Sequence, residues 1–256
     1  MIRFDKVTRT YGRKVAVAEL DLEIPPGQLF AFLGPNGAGK TTTIRMLVGL
    51  LRPTVGTIRV CGHDTRTETR QATRFIGYVP DEPYLYEKLS GREFLQFVAE
   101  MRGMDRRAVA ESMDWATERF ELADFLDDLI ETYSHGMRQR LVFASALLHN
   151  PPVLVVDEPM VGLDPKSVRL VKDLMRARVA AGMTVFMSTH TLDIAEEIAD
   201  RIGIIDRGRM DFLGTIGELR QALSLEQRSL EQLFLELTSG DGHQGAASRA
   251  SQPKSS

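Results

Sequence analysis

The residues from Gly34 to Thr41 have the types and the spacing needed to bind phosphate. They fit the pattern G-x-x-x-x-G-K-[ST]. Glycine allows backbone conformations that a Cβ would forbid, so successive N–H groups can turn towards an anion, and a following helix adds its unpaired donors and positive dipole end. The pattern predicts a nucleotide site in which Lys40 reaches the β- and γ-phosphates and Thr41 ligates Mg²⁺. The residues expected to contact nucleotide in this segment are Gly34, Pro35, Asn36, Gly37, Ala38, Gly39, Lys40, Thr41 and Thr42.

Two carboxylates follow a second apolar segment. Residues 153–156 form a short continuous apolar run, the form expected of a central parallel strand, and Asp157 and Glu158 come directly after it. Ligands bind at the carboxyl ends of such strands. We therefore expect Asp157 to hold the Mg²⁺ of a nucleotide and Glu158 to accept a proton from water that attacks the γ-phosphate. A solvated strand end is the alternative for an isolated Asp-Glu pair, and the phosphate-binding segment favours the metal site.

Both motifs have flanks that can position them. The apolar run 29–33 predicts a strand before the glycines, and residues 42–51 predict a helix after them. The rest of the chain predicts an antiparallel β segment first and then a mostly parallel sheet with helices on both faces. The other predicted strands cover 2–7, 15–24, 57–60, 75–79, 184–187, 202–205 and 210–212, and the other predicted helices in this part cover 134–149, 166–181 and 192–201.

The segment from Asp81 to about Thr132 changes character, because its apolar residues recur at helical spacing and no β-rich run occurs. Ser90 and Glu93 have the spacing of a capping box, which predicts a helix start. Two apolar stripes predict core-facing helix surfaces. The first stripe comprises Phe94, Phe97, Val98 and Met101, and the second comprises Val109, Met113, Ala116 and Phe120.

The composition is that of an ordinary water-soluble domain. The 256 residues are 43% hydrophobic and 26% charged, with a formal net charge of −3, so nothing in the bulk charge favours nucleic acid as a partner. One cysteine excludes an internal disulfide, no signal-like start is present and no run of about 18 apolar residues occurs. We expect a cytosolic protein whose membrane role, if any, comes through a partner.

The chain becomes recognisable when five motifs are read in order. The phosphate-binding segment is followed by Tyr133–Met137, Asp157–Glu158, Gly162–Pro165 and Ser188–His190. Over about residues 2–237 the chain resembles the nucleotide-binding subunits of ATP-binding-cassette (ABC) transporters. The resemblance implies an α/β fold with a P-loop NTPase (RecA-like) core, an N-terminal antiparallel β subdomain and an inserted α-helical subdomain.

The resemblance also implies a division of the chain. We expect one ABC ATPase domain over 1–238, with its core in 1–80 and 136–215. The helical subdomain would occupy 81–135, closing helices would occupy 216–238, and the Ser- and Gly-rich tail 239–256 would lack regular structure.

Further site residues follow from the family pattern. The family signature Leu-Ser-Gly-Gly-Gln is here Tyr-Ser-His-Gly-Met, in which Ser134 and Gly136 match. The match implies that they contact a nucleotide held by the other subunit of a head-to-tail dimer, and that Asp164 crosses the same interface while also being a plausible helix cap. His190 corresponds to the switch histidine that contacts the γ-phosphate, and Tyr11 to the aromatic residue that stacks on adenine.

Asp81 is a departure, because the family commonly has glutamine at this position. Its carboxylate is a candidate third Mg²⁺ ligand, but it adds negative charge beside the phosphates, so its metal role stays open. The position also implies that it senses the membrane partner.

The resemblance implies an ATPase, with ATP and Mg²⁺ as cofactors, that drives a separately encoded permease from the cytoplasmic face of the membrane. The segment 229–234 is similar to that of ABC-2 exporter subunits, which favours export. The dimer could be a homodimer or a heterodimer. Two alternatives remain: a soluble ABC-type ATPase acting in DNA repair or translation, and a regulatory subunit that binds nucleotide without hydrolysing it.

Overall fold

The computed structural model describes residues 1–222, and residues 223–256 are not described. The predicted tail and segment 229–234 lie outside the described residues, as does most of the predicted closing-helix region. Its beginning is a short helix at Ile216–Ala222.

A four-stranded antiparallel sheet opens the chain. Its strands are β1 (Ile2–Tyr11), β2 (Lys14–Ile24), β4 (Val55–Val60) and β5 (His63–Asp64), in the order β2-β1-β4-β5. This sheet confirms the predicted N-terminal antiparallel segment.

A six-stranded sheet carries the alternating pattern of strand, helix and strand. Its strands are β3 (Leu29–Leu33), β6 (Ile76–Val79), β7 (Val153–Asp157), β8 (Thr184–Thr189), β9 (Arg201–Asp206) and β10 (Arg209–Gly214), in the order β10-β9-β3-β8-β7-β6. All neighbouring pairs are parallel except β9 with β10. Strands β3, β7 and β8 are buried along their whole length, which explains their continuous apolar sequences.

The helices in the described part are α1 (Lys40–Leu47), α2 (Thr69–Arg74), α3 (Gly91–Met101), α4 (Arg106–Arg119), α5 (His135–Leu147), α6 (Pro165–Ala180), α7 (Leu192–Ile198) and α8 (Ile216–Ala222). Several bounds differ from the predicted ones by a few residues. The helix predicted over 192–201 ends at Ile198, because Arg201 already pairs with Phe30 in the sheet.

The side chains of β3 alternate between two hydrophobic cores. Leu29, Ala31 and Leu33 face a core shared with α5, α6 and the helical segment. Phe30 and Phe32 face a second core between the two sheets. Each of these two rings lies 5.5 Å from the ring of Phe186 on β8, in the same sheet, and the ring of Phe4 on β1 lies 6.3 Å from Phe186, so aromatic packing on Phe186 joins the two sheets.

The inserted segment is helical as predicted, and its capping box is present. The Ser90 side chain accepts from the Glu93 N–H, and the Glu93 carboxylate accepts from the Ser90 N–H.

The predicted stripe on α3 is wrong in part. Phe97 is 39% exposed and Met101 is 73% exposed, whereas Leu95 and Ala99 are buried beside Phe94. The buried face is rotated by about one residue from the predicted one. The stripe on α4 fits better, since Ala116 and Phe120 are fully buried.

Within residues 1–222, we find no helix with both the length and the apolar character required to cross a bilayer.

Candidate nucleotide-binding site

The phosphate-binding segment links the end of β3 to the start of α1. Gly39 precedes α1 with a φ of 117°, a conformation that L side chains rarely adopt. A Cβ on Gly39 would lie 2.6 Å from the Ala16 carbonyl oxygen, and one on Gly34 would lie 2.4 Å from the Ile205 carbonyl oxygen. Only glycine fits at these two positions, so the sequence pattern corresponds to a real constraint on the backbone.

Lys40 is buried, and its ammonium lies inside the curve of the segment. Its Nζ donates to the Gly34 carbonyl at 2.6 Å and to the Pro35 carbonyl at 3.3 Å. The Glu158 Oε1 atom lies 3.5 Å from the same nitrogen. The lysine of one motif and the glutamate of the other therefore meet, as expected if both serve one phosphate site.

Glu158 has an unusual backbone for a residue with a side chain, with a φ of 48°. Two bonds from its N–H hold it there, to the Ser188 carbonyl and to the Ser188 Oγ, each at 3.2 Å. Its Oε2 accepts from the His190 N–H at 3.2 Å and lies 2.9 Å from His190 Nδ1. The carboxylate is thus fixed between the ammonium of Lys40 and the imidazole of His190.

Asp157 is almost fully buried at the end of β7, where its carboxylate accepts from the Ser188 hydroxyl. Burial raises the pKa of this carboxyl, and the negative charges of Asp81 and Glu158 raise it further. Ser188 and Thr41 act in the opposite direction by hydrogen bonding. A nearby divalent cation would favour the ionised form.

The donors near Asp157 suit Mg²⁺. A threonine hydroxyl and one buried carboxylate are hard oxygen ligands, and Mg²⁺ typically combines one or two carboxylates with phosphate oxygens and water. The residues 1–222 contain no group of three or more His, Cys, Asp or Glu side chains that could bind a metal unaided. Thr41 and Asp157 therefore fit a metal that arrives with a nucleotide.

A cavity of about 460 Å³ opens over the segment. The predicted site residues that line it are Tyr11, Pro35, Asn36, Gly37, Gly39, Lys40, Thr41, Thr42, Asp81 and Glu158. Gly34, Ala38, Asp157 and His190 do not line it, although Gly34 and His190 bond to residues that do. Lys14 and Ala16 also line it and were not predicted, since nothing in a hairpin sequence marks them as site residues.

Asp81 lies among these charges. Burial raises the pKa of its carboxyl, and the neighbouring carboxylates of Glu158 and then Glu82 raise it further, while His190 and Lys40 lower it. The residue is therefore close enough to the phosphate site to affect its charge.

Ser134, Gly136 and Asp164 form a separate group that does not line the cavity. Ser134 caps α5 by accepting from the Met137 N–H at 3.3 Å. Asp164 caps α6 by accepting from the N–H groups of Lys166 and Ser167. A Cβ on Gly136 would lie 3.8 Å from Asp164 Oδ2, so the two helix starts are neighbours.

His135 joins the same two segments. Its Nε2 lies 3.3 Å from the Val161 carbonyl oxygen, and its ring covers the Cα of Gly162. The structure thus brings together the 133–137 and 162–165 motifs, which the sequence separates, on a surface outside the cavity.

Comparison with known proteins identifies close similarities. The family model described as "ABC transporter" matches residues 17–161. Among curated proteins, the daunorubicin/doxorubicin resistance ATP-binding protein DrrA of Streptomyces peucetius is 43% identical over 85% of this chain and 66% of its own length. The Nod factor export ATP-binding protein I of Paraburkholderia xenovorans is 38% identical over 81% of this chain and 68% of its own length.

Solved structures of ATP-binding cassettes have the same fold as this chain. An ATP-binding subunit of an ABC transporter superposes with a TM-score of 0.88 at 30% identity, covering 93% of this chain and 99% of that one. A dimeric ATP-binding cassette in a post-hydrolysis state, bound to ADP and Pi, gives 0.75 at 26% identity over 84% of this chain and 99% of that one.

Proposed function

The chain belongs to the ABC transporter family and has the fold of its ATP-binding subunits, and from this premise we propose that it binds and hydrolyses ATP to drive a membrane permease. One observation carries the catalytic part of the proposal. The Glu158 carboxylate is held between Lys40 Nζ, at 3.5 Å, and His190 Nδ1, at 2.9 Å, beside the cavity of about 460 Å³. We therefore assign the roles of general base to Glu158, phosphate-binding cation to Lys40 and γ-phosphate sensor to His190, since the three groups meet at one point.

The residues of the chain divide the work as follows. The N–H groups of 37–41 and the Lys40 ammonium bind and orient the phosphates, as an α-helix start with glycines is suited to do. Glu158 accepts the proton of the attacking water at its carboxylate. His190, which is 53% exposed, donates a hydrogen bond to the γ-phosphate or positions the attacking water beside it.

We place Mg²⁺ at Thr41 and Asp157, because their oxygens fit it, and assign Asp81 to modulating the charge there rather than to a required ligand. When bound, the metal supplies charge neutralisation at the phosphate oxygens.

We further propose that the site is completed by a second subunit in a head-to-tail dimer. Ser134, Gly136 and Asp164 lie outside the cavity of their own chain, yet Ser134 and Gly136 stand at the start of a helix, where a phosphate is favoured. The dimeric cassette with bound ADP and Pi supports such an arrangement.

The partner proposed is a permease for export, on the cytoplasmic face of the membrane. Support comes from the relatives, one named for drug resistance and another for export of Nod factor, and from the family description. The transported substrate would be chosen by the permease.

Two measurements test this function. Purified chain should release phosphate from Mg-ATP, and a chain that binds ATP but releases none would instead be a regulatory subunit. Tagged chain should recover an integral membrane protein from solubilised membranes in a nucleotide-dependent manner. Recovery of ribosomes or DNA-repair proteins instead would contradict the transport assignment.

A further inference from the structure

The end of β1 carries an arginine that lies beneath the ring proposed to stack on adenine. The guanidinium carbon of Arg9 lies 4.5 Å from the centroid of the Tyr11 ring, which is cation–π distance. Residues 9 and 11 are two apart on one strand, so they share a face of the sheet. The contact is therefore built into the strand.

Tyr11 has two different environments. The ring lines the cavity, whereas Arg9 is not among the residues that line it. The guanidinium thus covers one face of the ring, while Tyr11, which is 47% exposed, still lines the cavity in which a base can stack on it.

The guanidinium is itself anchored. Arg9 Nη1 donates to the Arg52 carbonyl at 3.0 Å. The neighbouring strand residue is fixed by the same segment, because the Thr10 N–H donates to Thr54 Oγ1 at 3.1 Å. The bond to the segment 52–54 therefore holds the guanidinium of Arg9 in place.

From this geometry we propose that Arg9 is a positioning residue for the nucleobase: it fixes the plane of the Tyr11 ring and polarises it for stacking with a purine. A cation on one face withdraws π-electron density from the ring, so a base stacked on the opposite face meets less repulsion between π clouds. The proposal rests on the assignment of the cavity to ATP. It concerns the base alone, since the phosphates bind at Lys40, on another part of the cavity.

The test compares ATP with inorganic tripolyphosphate as probes, by titration calorimetry of the full chain. Arg9→Gln should weaken ATP binding about two- to fivefold, the fold-change that corresponds to an exposed cation–π contact, and leave tripolyphosphate affinity unchanged. Arg9→Lys should recover much of the loss. In a Tyr11→Leu background, Arg9→Gln should cause no further loss.

Arg13→Gln is the matched control, because Arg13 is an exposed arginine two residues beyond Tyr11 in the hairpin turn. It removes the same charge and should leave the ratio of ATP to tripolyphosphate affinity unchanged. Equal losses for both probes, or the same Arg9 effect with and without the Tyr11 ring, would overturn the proposal. A wild-type chain that binds neither probe would refute the ATP assignment itself, which separates the two failures. If Arg9→Gln proves unstable on heating, Arg9→Met, which keeps the length of the side chain without its charge, replaces it in the same comparison in the two Tyr11 backgrounds.

Discussion

At the scale of single residues, the chemistry depends on where a few side chains are held. Glu158 adopts a left-handed φ of 48°, a conformation that costs a residue with a side chain about 1 to 3 kcal/mol and persists only when the surroundings enforce it. Ser188 enforces it through both its carbonyl and its hydroxyl. The sequence was sufficient to propose Glu158 as the base, but this backbone conformation arises from pairing between β7 and β8 and has no local sequence signal.

Glu158→Gln should nearly stop turnover while ATP binding persists. Glutamine can still accept from the His190 N–H, so the geometry is kept while the base is lost, and the rate of phosphate release should fall by roughly 10² to 10⁴. An ATP-dependent dimer should then accumulate on a sizing column. Glu118→Gln, at an exposed position on α4, should match the wild type. Turnover above a tenth of the wild-type rate would rule out Glu158 as the base.

At the scale of elements, the structure shows what the sequence left ambiguous. On α3 both possible stripes are apolar, because Leu95 and Ala99 lie next to Phe94 and Val98, so periodicity could not decide which face is buried. Packing on α5 decided it. Phe97, which lies off the buried face, instead makes an edge-to-face contact with Tyr86, with ring centroids 5.4 Å apart.

The contact between the starts of α5 and α6 gives a prediction about closure. Gly162 has a φ of 73°, and a Cβ there would lie 3.2 Å from His135 Nε2. Gly162→Ala should therefore strain the backbone, move His135 and weaken the ATP-dependent dimer in the Glu158→Gln background.

Gly103→Ala is the matched control for that variant, since Gly103 has a φ of 69° and no heavy atom lies within 4 Å of the position that its Cβ would take. Both alanines should cost about 1 to 2 kcal/mol in urea unfolding, because each forces a left-handed conformation. Only Gly162→Ala should shift the dimer peak on a sizing column. If both variants dimerise equally, the contact has no part in closure.

A buried histidine that follows α5, near an arginine that follows α3, predicts a pH dependence of stability. His149 follows α5, and burial first and then the positive charge of Arg102 lower the pKa of its imidazole from 6.5 to about 4. Arg102 is held there by donating to the Thr73 carbonyl at 2.9 Å. Between pH 6.5 and 4 the unfolded chain binds a proton that the folded chain does not, so stability falls as pH falls through this window.

Urea unfolding of the wild type should lose up to about 2 kcal/mol more between about pH 7.5 and 5 than unfolding of His149→Gln. Equal slopes for His149→Gln and the wild type would show that the imidazole takes up its proton in the folded state.

At the scale of the whole molecule, the order of strands and helices along the chain was enough to predict the parallel sheet, whereas the packing between the two sheets could not be predicted. The parallel sheet follows from alternating strands and helices, and its register places Leu33 opposite Thr189 and Asp157 opposite Ser188, at one edge. The contact of Phe186 with Phe4, which joins the two sheets, by contrast links residues far apart in sequence. No local pattern encodes it.

The separation of the cavity from Ser134 predicts complementation between two inactive variants. Lys40→Ala removes the ammonium group that binds phosphate. Ser134→Asp keeps an N-cap acceptor for the Met137 N–H but places a negative charge where a phosphate would approach. In a head-to-tail dimer, each mixed pair has one site with an intact Lys40 and an intact Ser134. Random pairing makes half the dimers mixed, so mixing should restore phosphate release to about a quarter of the wild-type rate.

Ser134→Asn is the control for this experiment, because it caps the helix equally well without the charge and should stay active alone. Each inactive variant alone should remain near background at any concentration. The recovered rate should rise with total protein concentration, as expected for an activity that requires association. If phosphate release does not recover, although both variants are folded and the mixture forms a dimer, each chain holds a complete site. The cavity over Lys40 would then be the whole catalytic unit and not half of one.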